Sequence, residues 1–194
     1  MGSASVNIGL LLVNAIAGFY LFIVILRFLL QAARADFYNP ISQFVVKATN
    51  PVLIPIRKVV PGLFGLDMAA VVLGLIVELI AISLSLMIAG YPIPIVNVLI
   101  WGCLGLIGLV LKLYFWGILI MVIASWIAPG NYNPALSLLQ QLTEPVMKPI
   151  RKMLPDMGGF DISPIVAFLL IQVFEILLVT AARSTGAPGF IIGL

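Results

Sequence analysis

Histidine is absent from this chain, and cysteine occurs once, as Cys103. The first absence removes the usual imidazole ligand for haem or zinc and the commonest general base. The second excludes a disulfide within the chain. Cys103 lies in apolar sequence and is read as a small packing residue. Charge is equally scarce: charged residues make up 9% and hydrophobic residues 63% of the 194 residues, against about 25% and about 45–50% in soluble domains. So few charges cannot cover a surface in water, which leaves lipid as the main solvent. Walker loops, Gly-x-Ser-x-Gly elbows and metal-ligand clusters are missing too, so neither an enzymatic activity nor a cofactor is expected. The net charge of +3 sits beside apolar runs and points to anionic lipid headgroups rather than nucleic acid.

A helix that crosses a bilayer needs about 20 mostly apolar residues. Residues 8–30, 68–89 and 162–182 qualify. The first run lacks a charged leading region and is too long for a cleaved signal, so it is read as a retained span. "MGSAS" fits a myristoylation pattern, but one acyl chain adds little to a chain with several spans. Residues 93–127 are long for one span and short for two, with Lys112 inside.

An internal repeat resolves that ambiguity. Tyr38-Asn39-Pro40 recurs 94 residues on as Tyr132-Asn133-Pro134, Thr49 as Thr143, and Pro51 as Pro145. Pro55-Ile56-Arg57-Lys58 recurs as Pro149-Ile150-Arg151-Lys152, and Pro61, Gly65 and Asp67 as Pro155, Gly159 and Asp161, without a gap. This is a duplication. Under it the span 8–30 maps onto 102–124, so the long segment is one span over about 102–127, preceded by a connector containing Pro92 and Pro94. Seven of the ten Lys and Arg residues lie in the repeated stretches: Arg34, Lys47, Arg57, Lys58, Lys148, Arg151 and Lys152. The positive-inside rule places both stretches in the cytoplasm, which requires an even number of spans between them. Arg183, at the end of the last span, is the exception.

The expected fold is an all-α membrane protein with four transmembrane helices as two parallel tandem repeats. Each repeat carries an interfacial amphipathic helix between its two spans. Residues 1–90 form the first repeat, with its interfacial segment at 39–61; residues 91–194 form the second, with its segment at 133–155. Asn39 and Asn133 supply helix N-caps with Pro40 and Pro134 in the first turn. Ile41, Phe44, Val45 and Ala48 share one face, opposed by Gln43 and Lys47; Ala135, Leu138, Leu139 and Leu142 share the matching face of the second copy. Pro51 and Pro145 should break that helix and start another, which Pro55 and Pro149 limit. Arg57-Lys58 and Arg151-Lys152 can lay their stems along acyl chains with their heads at phosphates. Asp67 and Asp161 precede the next spans and can cap them.

Arg27, Glu78, Lys112 and Glu175 fall within spans. A charge at the bilayer centre costs about 2.5–3.5 kcal/mol on insertion scales, so Lys112 is expected to pair with Glu78 or Glu175, as a structural ion pair or as part of an ion path. Gly102, Gly105 and Gly108 suit close helix approach or self-association. Trp101, Trp116, Trp126, Tyr91, Tyr114 and Tyr132 suit interfacial belts.

The stretches "DFYNPISQFVVKATNPVLIPIRKVVP" and "NYNPALSLLQQLTEPVMKPIRKMLPDMGGFDISP" resemble the YggT family, known as YlmG in Gram-positive bacteria and with plastid relatives. The two-repeat form is similar to the proteobacterial members. The resemblance implies an integral protein of the bacterial inner membrane without known enzymatic activity. It also implies links to osmotic stress and potassium-related ion homeostasis, to division-site and nucleoid organisation, and to cytochrome maturation in plastids. The expectation is therefore a non-enzymatic scaffold at the cytoplasmic face, with both termini on the other side. Its site residues are those of the repeated phrase: Asn39, Pro40, Lys47, Pro51, Pro55, Arg57, Lys58, Pro61 and Asp67, and Asn133, Pro134, Pro145, Lys148, Pro149, Arg151, Lys152, Pro155 and Asp161. Expected partners are anionic lipids, a cytoplasmic or membrane protein, or a further copy of the chain. The alternatives are an ion-homeostasis factor or small transporter subunit using Glu78, Lys112 and Glu175, and a cytochrome assembly factor.

Overall fold

The computed structural model describes residues 2–63, 65–127, 133–155 and 161–194. They form six helices: α1 (Gly2–Ala32), α2 (Pro40–Arg57), α3 (Met68–Ala89), α4 (Ile95–Ile127), α5 (Pro134–Met153) and α6 (Ser163–Ser184). Four of them, α1, α3, α4 and α6, are long and apolar enough to cross a membrane. Rows of exposed apolar side chains such as Leu11, Phe19, Leu169 and Phe174 are surface that only lipid can cover without penalty. The long central segment is a single helix. It begins at Ile95 rather than near residue 102, so the connector shrinks to the turn after Gly90.

Helix α3 runs back along α1, with Asp67 beside Arg27 at one end and Ile88 against Gly9 at the other. Helix α6 lies along α4 in the same way. The packing repeats with the sequence. Val24, Leu53, Ala69 and Leu73 form one buried cluster. The residues 94 positions on from Val24, Leu53 and Leu73 are Ile118, Met147 and Ala167, which share another. A third cluster joins the halves through Leu21 and Ile25 of α1, Leu106 and Leu113 of α4, and Leu138 and Leu142 of α5.

Three helices end alike. Gly90 and Gly186 close α3 and α6 in the left-handed region, with φ of 74° and 76°. Arg34 does the same for α1 at φ 52°. Its N–H donates to Gln31 O and the next N–H, of Ala35, to Leu30 O. This is a capping pattern that favours glycine.

The amphipathic helices depart from expectation in two respects. First, α2 continues unbroken through Pro51 and Pro55, and α5 through Pro145 and Pro149. Each pair is spaced four apart on an exposed face. The carbonyls deprived of an N–H, those of Lys47 and Pro51 in α2, belong to exposed residues where water or headgroups can satisfy them. Second, α2 buries Ser42, Val45, Thr49 and Leu53, while Phe44 is exposed and Ile41 and Ala48 are half-buried. The inward face is partly polar because a charged residue of α1 lies against it. In α5 the expected face holds better, with Leu138 and Leu142 buried.

Beyond α6 the chain folds back onto the bundle. Trp101 Nε1 donates to Thr185 Oγ1 at 2.8 Å and Asn97 Nδ2 to Thr185 O at 3.0 Å. Ile191 joins Ile82, Leu86, Val98 and Trp101 in a buried cluster. The glycine row of α4 makes room for this. A Cβ on Gly105 would stand 2.7 Å from Ile192 O, and one on Gly108 would collide with the Gly193 carbonyl. The row thus receives the chain's own terminal segment, and Leu79 of α3 at Gly102, rather than a second copy. Trp101 is buried, not an interfacial belt residue. Cys103 is exposed, pointing out of the bundle rather than packing in it. Trp126 is exposed at the end of α4; Tyr132 and Gly159 lie outside the described residues.

Gly108→Ala is expected to displace the terminal segment. With Cys103→Ala as background and a cysteine at Ile191, thiol labelling in membranes should be slow with Gly108 and fast with alanine there.

Candidate functional site

The end of the bundle that carries α2 and α5 concentrates the charged residues. Asn39 Oδ1 accepts from Ile41 N at 2.9 Å and Asn133 Oδ1 from Ala135 N at 2.8 Å, so both predicted caps are made. Asn39 has a further role: its Nδ2 donates to Pro134 O at 2.7 Å. One turn earlier in the fold, Asp36 N donates to Gln141 Oε1 at 2.7 Å. These two bonds tie the bracket of one repeat to that of the other, so both brackets lie at the same end of the bundle.

Each bracket is also tied to the span that follows it. Arg57 grips Asp67 with Nε and Nη2. At the same spacing of ten residues, Arg151 Nε meets Asp161 Oδ2 at 3.1 Å. The two latches have different surroundings. Asp67 is only 5% exposed, and a second guanidinium, Arg27 (7% exposed), stands 3.9 Å from it. Arg27 Nη1 donates to Val46 O at 3.1 Å and to Thr49 Oγ1. The second latch is open to solvent and gains Glu144, whose carboxylate accepts from Arg151 Nη1 at 3.0 and 3.2 Å.

Protonation follows these contacts. Burial by itself would lower the Arg151 pKa, but Glu144 and Asp161 outweigh it and hold it above its ordinary value. Burial likewise pushes the Asp161 carboxyl up, yet the Ser163 hydroxyl and N–H, with Arg151, hold it below the usual carboxylate range. Asp161 thereby caps α6 through Ser163 N at 2.9 Å. Asp67 does not cap α3: no side-chain cap bond is made there, because its oxygens face the two arginines.

The expected intramembrane pairing is not formed. Glu78 is fully buried and neither carboxylate oxygen has a hydrogen-bond partner among the described residues; Gly105 of α4 and the Ile192 carbonyl lie beside it. Lys112 instead lines an apolar cavity of about 400 Å³ between α1, α4 and α5, with Trp116 and Leu139. Glu175 is half-buried on α6. The three groups stand apart because α4 turns Gly105, not Lys112, towards Glu78.

Among the other predicted residues, Pro61 and Pro155 are exposed just after the brackets, and Lys47, Lys58, Lys148 and Lys152 are exposed on them. Of each Arg-Lys pair, the arginine is therefore engaged inward and the lysine is free. Thr49, Ser42, Arg34 and Glu144 are site residues that the phrase did not identify. Thr49 had a signal, its recurrence as Thr143, whose Oγ1 donates to Leu139 O at 2.9 Å. Among the described residues, no three His, Cys, Asp or Glu side chains form a metal-ligand group.

Four apolar spans, two bracket helices and a packing pattern that repeats along the chain define a multi-pass membrane protein built from two tandem units. The CCB3/YggT family model matches the chain twice, over residues 6–88 and 100–182. The chain belongs to that family. It is similar to an uncharacterised protein of Pseudomonas aeruginosa, with 44% identity over 91% of each chain. It is also similar to the uncharacterised protein YggT of Escherichia coli K12, with 38% identity over 90% of this chain and 91% of that one. A shorter relative, the uncharacterised protein ycf19 of Guillardia theta, is 36% identical over 32% of this chain and 69% of its own. No solved structure matches the chain.

The two latches should differ in worth. Asp67→Asn strips a buried carboxylate from two arginines, which costs about 3–5 kcal/mol. Asp161→Asn loosens an exposed pair worth about 0.2–1 kcal/mol. Denaturant unfolding in detergent, followed by tryptophan fluorescence, should show that order. The second latch should also respond to acid. Because the folded Asp161 pKa is depressed, its contribution is complete above the ordinary carboxylate range and disappears as pH falls through the depressed value. The acid-induced loss of stability as pH falls from the ordinary carboxylate range through the depressed value should therefore be smaller in Asp161→Asn.

Proposed function

We propose that this protein is a non-enzymatic platform in the bacterial inner membrane, docking a protein partner at the cytoplasmic face. The observation that carries this reading is the joined pair of brackets. Two amphipathic helices meet end to end through Asn39 and Pro134 and are each latched to a span. Lys47 and Lys58 on one and Lys148 and Lys152 on the other are all exposed. Rigid placement matters for recognition, because a surface already held in its binding geometry loses less entropy on association. The lysines sit at one end of the bundle, whereas the other end carries Arg183; that bias supports a cytoplasmic bracket face and termini on the opposite side. Each lysine near an anionic leaflet adds about 1 kcal/mol of attraction, which would hold the platform level with the headgroups while a partner binds. Envelope or division-site organisation is the process such a platform suits.

The competing assignment, an ion path through Glu78, Lys112 and Glu175, would need those groups in sequence across the membrane, and they stand apart. Photo-crosslinkers at Lys58 and Lys152, used in intact cells, are expected to capture the same protein. Replacing Lys47, Lys58, Lys148 and Lys152 by glutamine should remove both that capture and osmotic survival, while Glu78→Gln and Lys112→Met should leave both unchanged. The opposite pattern, with ion flux lost in Glu78→Gln, would favour the ion path.

A further inference from the structure

We infer that the crevice between the end of α1 and α2 is a binding site for a phosphate-bearing anion, present in the first repeat only. This stands independently of the docking reading. The crevice has a volume of about 420 Å³, and Arg27, Arg34, Arg57 and Ser42 are among the residues that line it.

Two of these residues, Ser42 and Arg27, are more than nine-tenths buried, and Ser42 carries a polar atom without a partner. Ser42 is 5% exposed and its Oγ has no hydrogen bond; Arg27 is 7% exposed and turns its Nε towards Asp67 Oδ2 at 3.9 Å. Buried polar atoms are nearly always satisfied in native proteins, so the Ser42 hydroxyl left open on the cavity wall marks where a ligand would complete the set. The charge balance indicates its sign. Arg27 and Arg57 share one carboxylate, Asp67, and Arg34 makes no ion pair among the described residues. Three guanidiniums against one carboxylate leave an excess of two positive charges facing the cavity. Forked guanidinium donors with an added hydroxyl match the tetrahedral oxygens of a phosphate ester. Leu30 and Phe37 give the crevice an apolar edge, which suits the glycerol end of a phospholipid. The shared chemistry is the phosphate group, supplied by a lipid headgroup or by a soluble phosphate.

The duplication supplies an internal control. The latch residues Thr49, Arg57 and Asp67 recur 94 positions on as Thr143, Arg151 and Asp161. The cavity residues do not: Arg27, Arg34 and Ser42 correspond to Met121, Ala128 and Leu136. The mechanical part of the motif is thus common to both halves, and the anion-facing part belongs to one.

The test uses the full chain in detergent, with native mass spectrometry against short-chain phosphatidylglycerol and phosphatidylcholine and with inorganic phosphate as competitor. One phosphatidylglycerol is expected per chain, at least about tenfold tighter than phosphatidylcholine. Arg34→Gln, which breaks no ion pair of the fold, should weaken it about tenfold, the scale of one charged hydrogen bond, and Ser42→Ala should weaken it less. Arg183→Gln, exposed at the opposite end of the bundle, should leave it unchanged. Displacement by millimolar inorganic phosphate assigns the site to soluble phosphates; binding that resists phosphate assigns it to a lipid headgroup. Either result upholds the site. Equal retention of both lipids, absence of binding by phosphatidylglycerol and phosphate alike, or binding untouched by Arg34→Gln and Ser42→Ala would overturn it.

Discussion

A guanidinium closed on a carboxylate ten residues further along the chain recurs in both halves of this protein. Arg57 on Asp67 and Arg151 on Asp161 join the last turn of an amphipathic helix to the entry of the next span. The latch lies where two prolines in each helix remove ladder donors. Beside each latch, Leu53 or Met147 packs in the groove between two spans. The repeated apolar clusters follow from that placement.

The two halves share this mechanism in different solvents. In the first, the carboxylate is enclosed and flanked by a second arginine, so the pair depends on its neighbours being complete. In the second, the pair is half open and recruits Glu144, as a surface network does. A duplicated unit has therefore kept one mechanical solution while the surroundings diverged, one copy turning inward to a charged crevice and the other outward to the surface.

Much of this architecture was legible in the sequence. The number of spans followed from hydropathy only once the repeat mapped residues 8–30 onto 102–124, and the caps at Asn39 and Asn133 followed from Asn-Pro spacing. Other features depend on tertiary neighbours and leave weak local traces. The inward face of α2 could not be read from its own periodicity, because Arg27 on α1 makes Thr49 and Ser42 inner residues and sends Phe44 outward. Glu78 and Lys112 looked like partners by sign alone, yet helix rotation separates them. Pro51 and Pro55 looked like breaks because the cost of a freed carbonyl depends on which way it points, and a propensity does not record direction. The docking of the segment after α6 had a trace in the glycine spacing of α4, but glycine rows announce close approach without naming what approaches.

That docked segment gives the other end of the bundle a closure of its own. Its trough is walled by α3 and α4, and its first anchor, Thr185, meets Asn97 and Trp101 of α4. Ile192 and Gly193 fill the small-residue row at Gly105 and Gly108, and Ile191 packs against Ile82, Leu86 and Val98. The two ends of the bundle are thus closed by different means, by ion pairs where the brackets lie and by apolar packing where this segment docks.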